Sequence, residues 1–179
     1  MRTPILETER LILRPLALTD AEEIYANWSS DPDVARYMVW STHTNVEITK
    51  AWLAEVEKAV DSDTDYDWGF VRKEDGKLIG SGGIYYKKER DTYTLGYNTM
   101  KDCWHQGYTS EAAAAMIKFG IEILHATHFR ACHAKDNPNS GKVMEKVGFH
   151  YVSDSTYDSI DGTKHFESKE YVLEVGELF

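Results

Sequence analysis

The sequence predicts an α+β fold in which helices and a mainly antiparallel sheet form mixed layers. Three observations predict it. Apolar residues switch between the two-residue period of strands and the 3.6-residue period of helices in the order β-α-α-α-β-β-β-α-β-α-β-β, without the strict alternation of a doubly wound sheet. Three strands follow one another directly, the first two joined by the turn Glu74-Asp75-Gly76, as a hairpin requires. A long central helix carries a wide apolar face of the kind that packs on a sheet.

The elements follow in order. Arg10 to Pro15 alternates polar and apolar residues, as a half-buried strand does. Thr19 or Asp20 can cap a helix through Ala21 to Trp28, and a second helix starts near Asp31-Pro32, where a first-turn proline costs little. Thr44 to Val60 forms a third, with Ile48, Trp52 and Val56 on one stripe. Asp67 to Arg72, Lys77 to Tyr86 and Thr92 to Thr99 are the three consecutive strands. The long helix runs from about Gln106 to Leu124, with Ala112, Met116, Phe119 and Ile123 on one stripe and Ala113, Ile117, Gly120 and Leu124 beside it. A strand near Phe129 to Ala134, a short helix near Asn139 to Val147, and strands at Phe149 to Asp154 and Phe166 to Leu173 complete the chain.

Composition bounds the function. The 179 residues fit one domain with a full core, and 42% hydrophobic with 28% charged residues is an ordinary globular mix. No apolar run approaches the roughly 20 residues that cross a bilayer, and the charged stretch Met1 to Arg14 lacks a signal-peptide core. Two cysteines, Cys103 and Cys132, give no disulfide framework. A cytoplasmic protein without a membrane partner is expected. A formal charge of −10 argues against a nucleic-acid partner, since phosphate binding needs a basic face; it suits a cationic amine and serves solubility equally well.

The segment Trp104-His105-Gln106-Gly107-Tyr108-Thr109-Ser110-Glu111-Ala112 follows a strand and opens the long helix. Helix N-termini present unpaired amides and partial positive charge, so they attract anions. Gly107 lets the backbone approach a pyrophosphate, and Thr109 and Ser110 add donors without bulk. An ordinary glycine turn with a Ser/Thr cap is the plainer reading of the same residues. Glu111 suits the helix dipole and is expected to point away from an anion.

This run resembles the acyl-CoA pyrophosphate loop of the GNAT acetyltransferases, and with Trp first it is similar to their ribosomal-protein N-acetyltransferase (RimJ/RimL-like) branch. In the broad pattern Q/R-x-x-G-x-G/A, Trp104 stands for Gln/Arg, Gly107 is retained, and Thr109 stands for the last small residue. Glu7 to Leu16 (E-T-E-R-L-I-L-R-P-L) is similar to the branch's opening strand, and Asn137 to Phe149 (N-P-N-S-G-K-V-M-E-K-V-G-F) resembles its N-x-x-S…K-x-G-F signature. The three segments occur in family order and spacing. The resemblance implies a single domain over residues 7–175 with the GNAT acyl-CoA N-acyltransferase fold, a mainly antiparallel twisted sheet with helices on both faces.

It also implies direct acetyl transfer from acetyl-CoA, as co-substrate, to a primary amine on a small molecule or peptide. No metal is implied, and dimers are frequent in the family. The strand Thr92 to Thr99 would splay from its neighbour, with Asn98, Thr99 and Met100 meeting pantetheine through backbone atoms. A backbone N–H there would stabilise the oxyanion. Gln106, Gly107, Tyr108, Thr109 and Ser110 would surround the pyrophosphate, and Asn137 would bond the pantetheine region. Ser140 is either a proton donor to the departing thiolate or a plain helix cap; Lys142 and Lys146 either meet CoA phosphates or are surface lysines. Tyr37, Met38 and Trp40 would form a wall of the acceptor pocket or pack in the core.

Where many relatives carry a Glu just before I-G-Y, this chain has Thr94 before Leu95-Gly96-Tyr97. Threonine cannot serve as the base, and Tyr97, His105 and His133 are substitutes none of which stands out. A protein that binds acyl-CoA without turnover, a sensor or assembly partner, is the alternative. Asp61-Ser-Asp63-Thr-Asp65-Tyr-Asp67 lacks the Gly and Glu of a calcium loop and reads as a solvated loop. Gly80-Ser81-Gly82-Gly83 marks a bulge or close backbone approach. Cys103 reads as structural.

Overall fold

A computed structural model describes residues 1–177. Eight strands form one sheet: β1 (Leu6–Glu7), β2 (Leu11–Arg14), β3 (Asp65–Arg72), β4 (Leu78–Lys87), β5 (Thr92–Thr99), β6 (His128–Ala134), β7 (His150–Asp158) and β8 (His165–Glu174). Five helices join them: α1 (Ala21–Ile24), α2 (Pro32–Ala35), α3 (Val46–Lys58), α4 (Tyr108–Glu122) and α5 (Pro138–Lys146). The strand order is β1-β2-β3-β4-β5-β6-β8-β7. Every neighbouring pair is antiparallel except β5 and β6. The mixed-layer α+β fold with a mainly antiparallel sheet, read from the sequence, is the one observed.

The core lies where the wide face of α4 meets the sheet. Tyr66, Trp68 and Phe70 alternate to one face of β3 and are buried, because a period of two puts every second side chain on the same side. Phe119 from α4 meets Tyr66 and Trp68 edge-on, with ring centroids 5.2 and 5.4 Å apart. Deleting that ring as Phe119→Ala would cost about 3–5 kcal/mol. On the opposite face, Leu16 lies against Gly69 of β3, and the end of α3 lies near Asp67.

Several sequence expectations are corrected. The buried residues of α3 are Thr49 and Leu53, while Ile48 is exposed; the helix starts two residues later than expected, at the Asn45 cap, whose Oδ1 accepts from the Glu47 amide. Ile123 is exposed because α4 ends at Glu122. Asp20 does not cap α1 with its side chain; it pairs with Arg14 and accepts from the Ala17 amide. The segment from Ala21 continues as a π-helical turn over Tyr25–Ser29. The acidic run is loop only in its first half, since Asp65, Tyr66 and Asp67 open β3. No helix of the described residues is long and apolar enough to cross a membrane.

Candidate active site

The start of α4 is shaped for close approach. Gly107 takes φ +82°, a conformation in which a side chain is strained, and His105 two residues earlier takes φ +60°. The helical ladder opens with the Glu111 amide donating to the Gly107 carbonyl at 3.0 Å. The amides of Tyr108, Thr109 and Ser110 therefore have no partner within the helix. Two cations stand beside them: a Cβ on Gly107 would lie 3.3 Å from Nη2 of Arg10 and 3.9 Å from Nζ of Lys146.

Arg10 is held in place. Its Nε donates to Oε2 of Glu111 at 2.7 Å, its Nη1 donates to the Gln106 carbonyl at 3.0 Å, and its guanidinium lies 4.3 Å above the Tyr108 ring. Glu111 also accepts from Thr8 Oγ1 and the Arg10 amide, at 2.6 and 2.7 Å, so its charge is spent on β2 and its approach. Burial pushes this carboxyl up, but the hydrogen bonds from Thr8 and Arg10 outweigh it and hold the group below the usual range.

From this turn a cleft of about 860 Å³ runs between β5 and β6. The two strands share only two rungs, Tyr93 with Phe129 and Thr94 with Arg130. Beyond Thr94 they part, and the remainder of β5 is paired on its β4 side alone. Asn98, Thr99, Gly107, Thr109, Ser110, Asn137 and Ser140 all line the cleft, as do Lys142 and Lys146.

Three other residues named from the sequence are not on its wall. Met100 is buried, and its amide donates to the Ile79 carbonyl at 2.8 Å. Gln106 is exposed and turns its side chain to the Asp102 carbonyl. Tyr108 packs its ring under Arg10. Thr99 Oγ1 lies 2.7 Å from Thr109 Oγ1, and Trp104 donates to the Thr99 carbonyl, which locks the strand end to the turn.

Ser140 is not a helix cap: Asn137 occupies that position, and Ser140 Oγ lies 3.1 Å from the Tyr97 hydroxyl. Tyr97 donates to the Ser140 carbonyl at 2.9 Å, and burial raises its phenol above the ordinary value. Cys132 and His133 also line the cleft; His133 Nε2 is buried without a partner among the described residues, facing Gly141. At the far end the walls are Val34, Tyr37, Met38, Val39 and Tyr157. Tyr37 is a wall residue, whereas Trp40 turns to His43, with ring centroids 5.7 Å apart. No motif in the sequence marks Tyr85 or Tyr157, because their place in the cleft depends on strand register and on the β7–β8 connection.

Residues 10–150 match the Acetyltransferase (GNAT) domain family. The chain belongs to the GNAT acetyltransferase family. It is 29% identical over 147 residues to the uncharacterized N-acetyltransferase YoaA of Bacillus subtilis (strain 168), covering 82% of each chain. Among solved structures, a putative ribosomal-protein-serine acetyltransferase from Vibrio cholerae superposes with a TM-score of 0.85 at 19% identity, over 97% of this chain and 99% of that one. The microcin C7 self-immunity acetyltransferase MccE, in complex with acetyl-CoA and AMP, superposes with a TM-score of 0.82 at 16% identity, over 94% of each chain. In this GNAT acetyltransferase Thr94, which has no ionisable group, lies on the cleft wall. Among its described residues, no group of three or more His, Cys, Asp or Glu side chains could hold a metal ion.

Proposed function

We propose that residues 7–175 act as one domain that transfers the acetyl group of acetyl-CoA to a primary amine, by direct attack in a ternary complex. The observation that carries this reading is the continuous cleft from Gly107, along the free edge of β5, to the wall at Tyr37. It offers an anion cradle, a strand edge and an acceptor pocket in the order that the co-substrate's diphosphate, its pantetheine arm and an incoming amine would need. The fold likeness to the MccE complex with acetyl-CoA supports the same reading.

When bound, acetyl-CoA supplies an activated thioester. The amides at the start of α4, with Arg10 and Lys146, would hold its diphosphate. Asn98 and Thr99 of β5 and Asn137 would line its pantetheine, and an amide on the free edge of β5 would steady the oxyanion. Ser140, linked to Tyr97, would deliver a proton to the departing thiolate. Placing amine and thioester in one cleft supplies the proximity on which such transfers depend. The acceptor, a small molecule or a peptide end, would meet mostly apolar and aromatic walls.

Thr94 favours a second reading, a protein that binds acyl-CoA without turnover. A thermal shift with acetyl-CoA, followed by thiol release across a panel of primary amines, separates the two. Binding with release supports the transferase; binding without release on any amine supports the second reading; no binding defeats both.

A further inference from the structure

We propose that Tyr85 and Asp67 form the proton-accepting floor of the amine site, doing from β4 and β3 what Thr94 on β5 cannot; this rests on the transferase reading above. The register places the parts. Across β4 and β5, Tyr85 faces Thr94, Gly83 faces Gly96 and Ser81 faces Asn98. The two glycines leave a trough in the sheet, and the Tyr85 ring lies along it. A Cβ on Gly83 would sit 2.6 Å from the Tyr85 hydroxyl, and one on Gly96 would sit 3.7 Å from its Cε2.

Tyr85, Thr94, Gly96 and Asn98 all line the cleft. From the trough the Tyr85 hydroxyl donates to Oδ1 of Asp67 at 2.5 Å. Asp67 pairs with Gly83 in the next strand, so one phenol connects the cleft to a carboxylate two strands from β5. At the other end of the trough Asn98 donates to Ser81 Oγ, and its Oδ1 has no partner among the described residues. A cationic primary amine over Gly96 would find an oxygen acceptor on each side.

Asp67 is short of positive charge. The titratable groups that face it are Tyr85 from β4 and Asp65 on its own strand. The end of α3 and the segments beside it offer only Val56, Ala59, Val60, Leu16, Pro15 and Thr3. Burial raises the Asp67 carboxyl, the Tyr85 hydrogen bond lowers it, and Asp65 raises it again, for a net rise. A half-buried carboxylate without a cation costs stability, and a substrate ammonium arriving through Tyr85 supplies the missing charge.

The step balances. The ammonium gives one proton to the Tyr85 oxygen as the Tyr85 proton passes to Asp67, leaving a neutral amine, an intact phenol and a protonated carboxyl. The amine then attacks the thioester carbon. Its second proton passes to the Ser140 hydroxyl as that hydroxyl gives its own proton to the departing thiolate. The C–S bond thus breaks to a free thiol, serine is regenerated, and the proton held by Asp67 returns to solvent. Tyr85 touches the substrate, whereas Asp67 acts through it.

The test is the pH profile of kcat/KM for the unaltered protein, Asp67→Asn and Tyr85→Phe. The probe is whichever of phenethylamine, spermidine and an N-terminal alanyl peptide turns over fastest. Both variants should keep acetyl-CoA affinity. At neutral pH they should lose about 100-fold in rate, the scale of general-base help. The gap should close toward pH 10, where the amine deprotonates unaided. Asp67→Asn should melt no lower than the unaltered protein, since its ionised carboxyl costs more stability as pH rises through its raised range. A loss equal at every pH, or no loss, overturns the proposal while leaving the transferase reading intact. Failure of the unaltered protein to turn over any probe defeats the transferase reading, and this proposal with it.

Discussion

The Tyr97 hydroxyl lies 2.9 Å from the carbonyl oxygen of Ser140 and 3.1 Å from its Oγ. The phenol proton goes to the carbonyl, so the second contact is the serine hydroxyl donating to Tyr97. Serine's proton is thereby aimed and its rotor held until a stronger acceptor, a thiolate, draws it away. Ser140→Ala should lower kcat about 3- to 10-fold, a modest effect because a thiolate needs little help in leaving at neutral pH. Its KM for acetyl-CoA should stay within about twofold. Tyr97→Phe should give a smaller loss in the same direction. Steady-state thiol release checks both, and an unchanged kcat in Ser140→Ala removes the hydroxyl from the reaction.

Gly107 makes a second prediction. Alanine there meets φ +82° and should cost about 1–2 kcal/mol of stability, read from chemical denaturation. Gly107→Glu adds a carboxylate beside the amides of α4. A fold that survives but binds acetyl-CoA at least about 100-fold more weakly is expected, since like charges then share one cradle. Calorimetry decides it, and an unchanged affinity would contradict the placement of the diphosphate.

Most of the fold was legible because its periodicities are strong. The strand from Thr92 to Thr99 has the same bounds in sequence and structure, and the turn at Gly107 is marked by residue type. What sequence could not supply is lateral register. Asp67 both ends an acidic run that reads as a solvated loop and opens a strand, and only pairing with Gly83 brings it under Tyr85. Arg10 looked like one polar step of an alternating strand, and its role depends on Glu111, far along the chain. Ile48 misled because a stripe drawn on an isolated helix does not say which flank the sheet will cover; Thr49 won that place through its hydroxyl, which meets His43 and Ser29.

Glu111 ties the β1–β2 approach to α4 and should make stability pH-dependent. Its carboxyl is held below the usual range in the folded protein, so its contribution is fully present above the unfolded value, about pH 4.3, and is lost as pH falls through the lowered folded value. Glu111→Gln should cost about 1–3 kcal/mol at pH 7, with Arg10 then free to swing. Denaturation series at pH 7 and near pH 3 should show the gap between variant and unaltered protein narrowing on acidification. A constant gap would mean that packing, not charge, carries the interaction.

Lys164 makes the last prediction, because it joins the two sides of the acceptor pocket. Its Nζ donates to the carbonyls of Ala35, Met38 and Trp40 at 3.0, 3.0 and 3.1 Å, using all three ammonium protons. The same hairpin end adds the Ile160 amide on the Val39 carbonyl and the Tyr157 hydroxyl on the Tyr37 carbonyl. Tyr37, Met38 and Val39 are cleft walls, so the β7–β8 connection fixes the shape of the acceptor end from outside it. Lys164→Met keeps the aliphatic stem and removes the donors. It should lower stability by about 1–3 kcal/mol and raise KM for the amine about 10-fold, with acetyl-CoA affinity unchanged because the cradle at Gly107 lies at the other end. Lys164→Arg should not restore the wild-type KM, since a planar fork cannot meet three carbonyls that converge on one nitrogen. Full rescue by arginine would mean that charge alone holds the loop, and an unchanged KM in Lys164→Met would mean that the other contacts suffice.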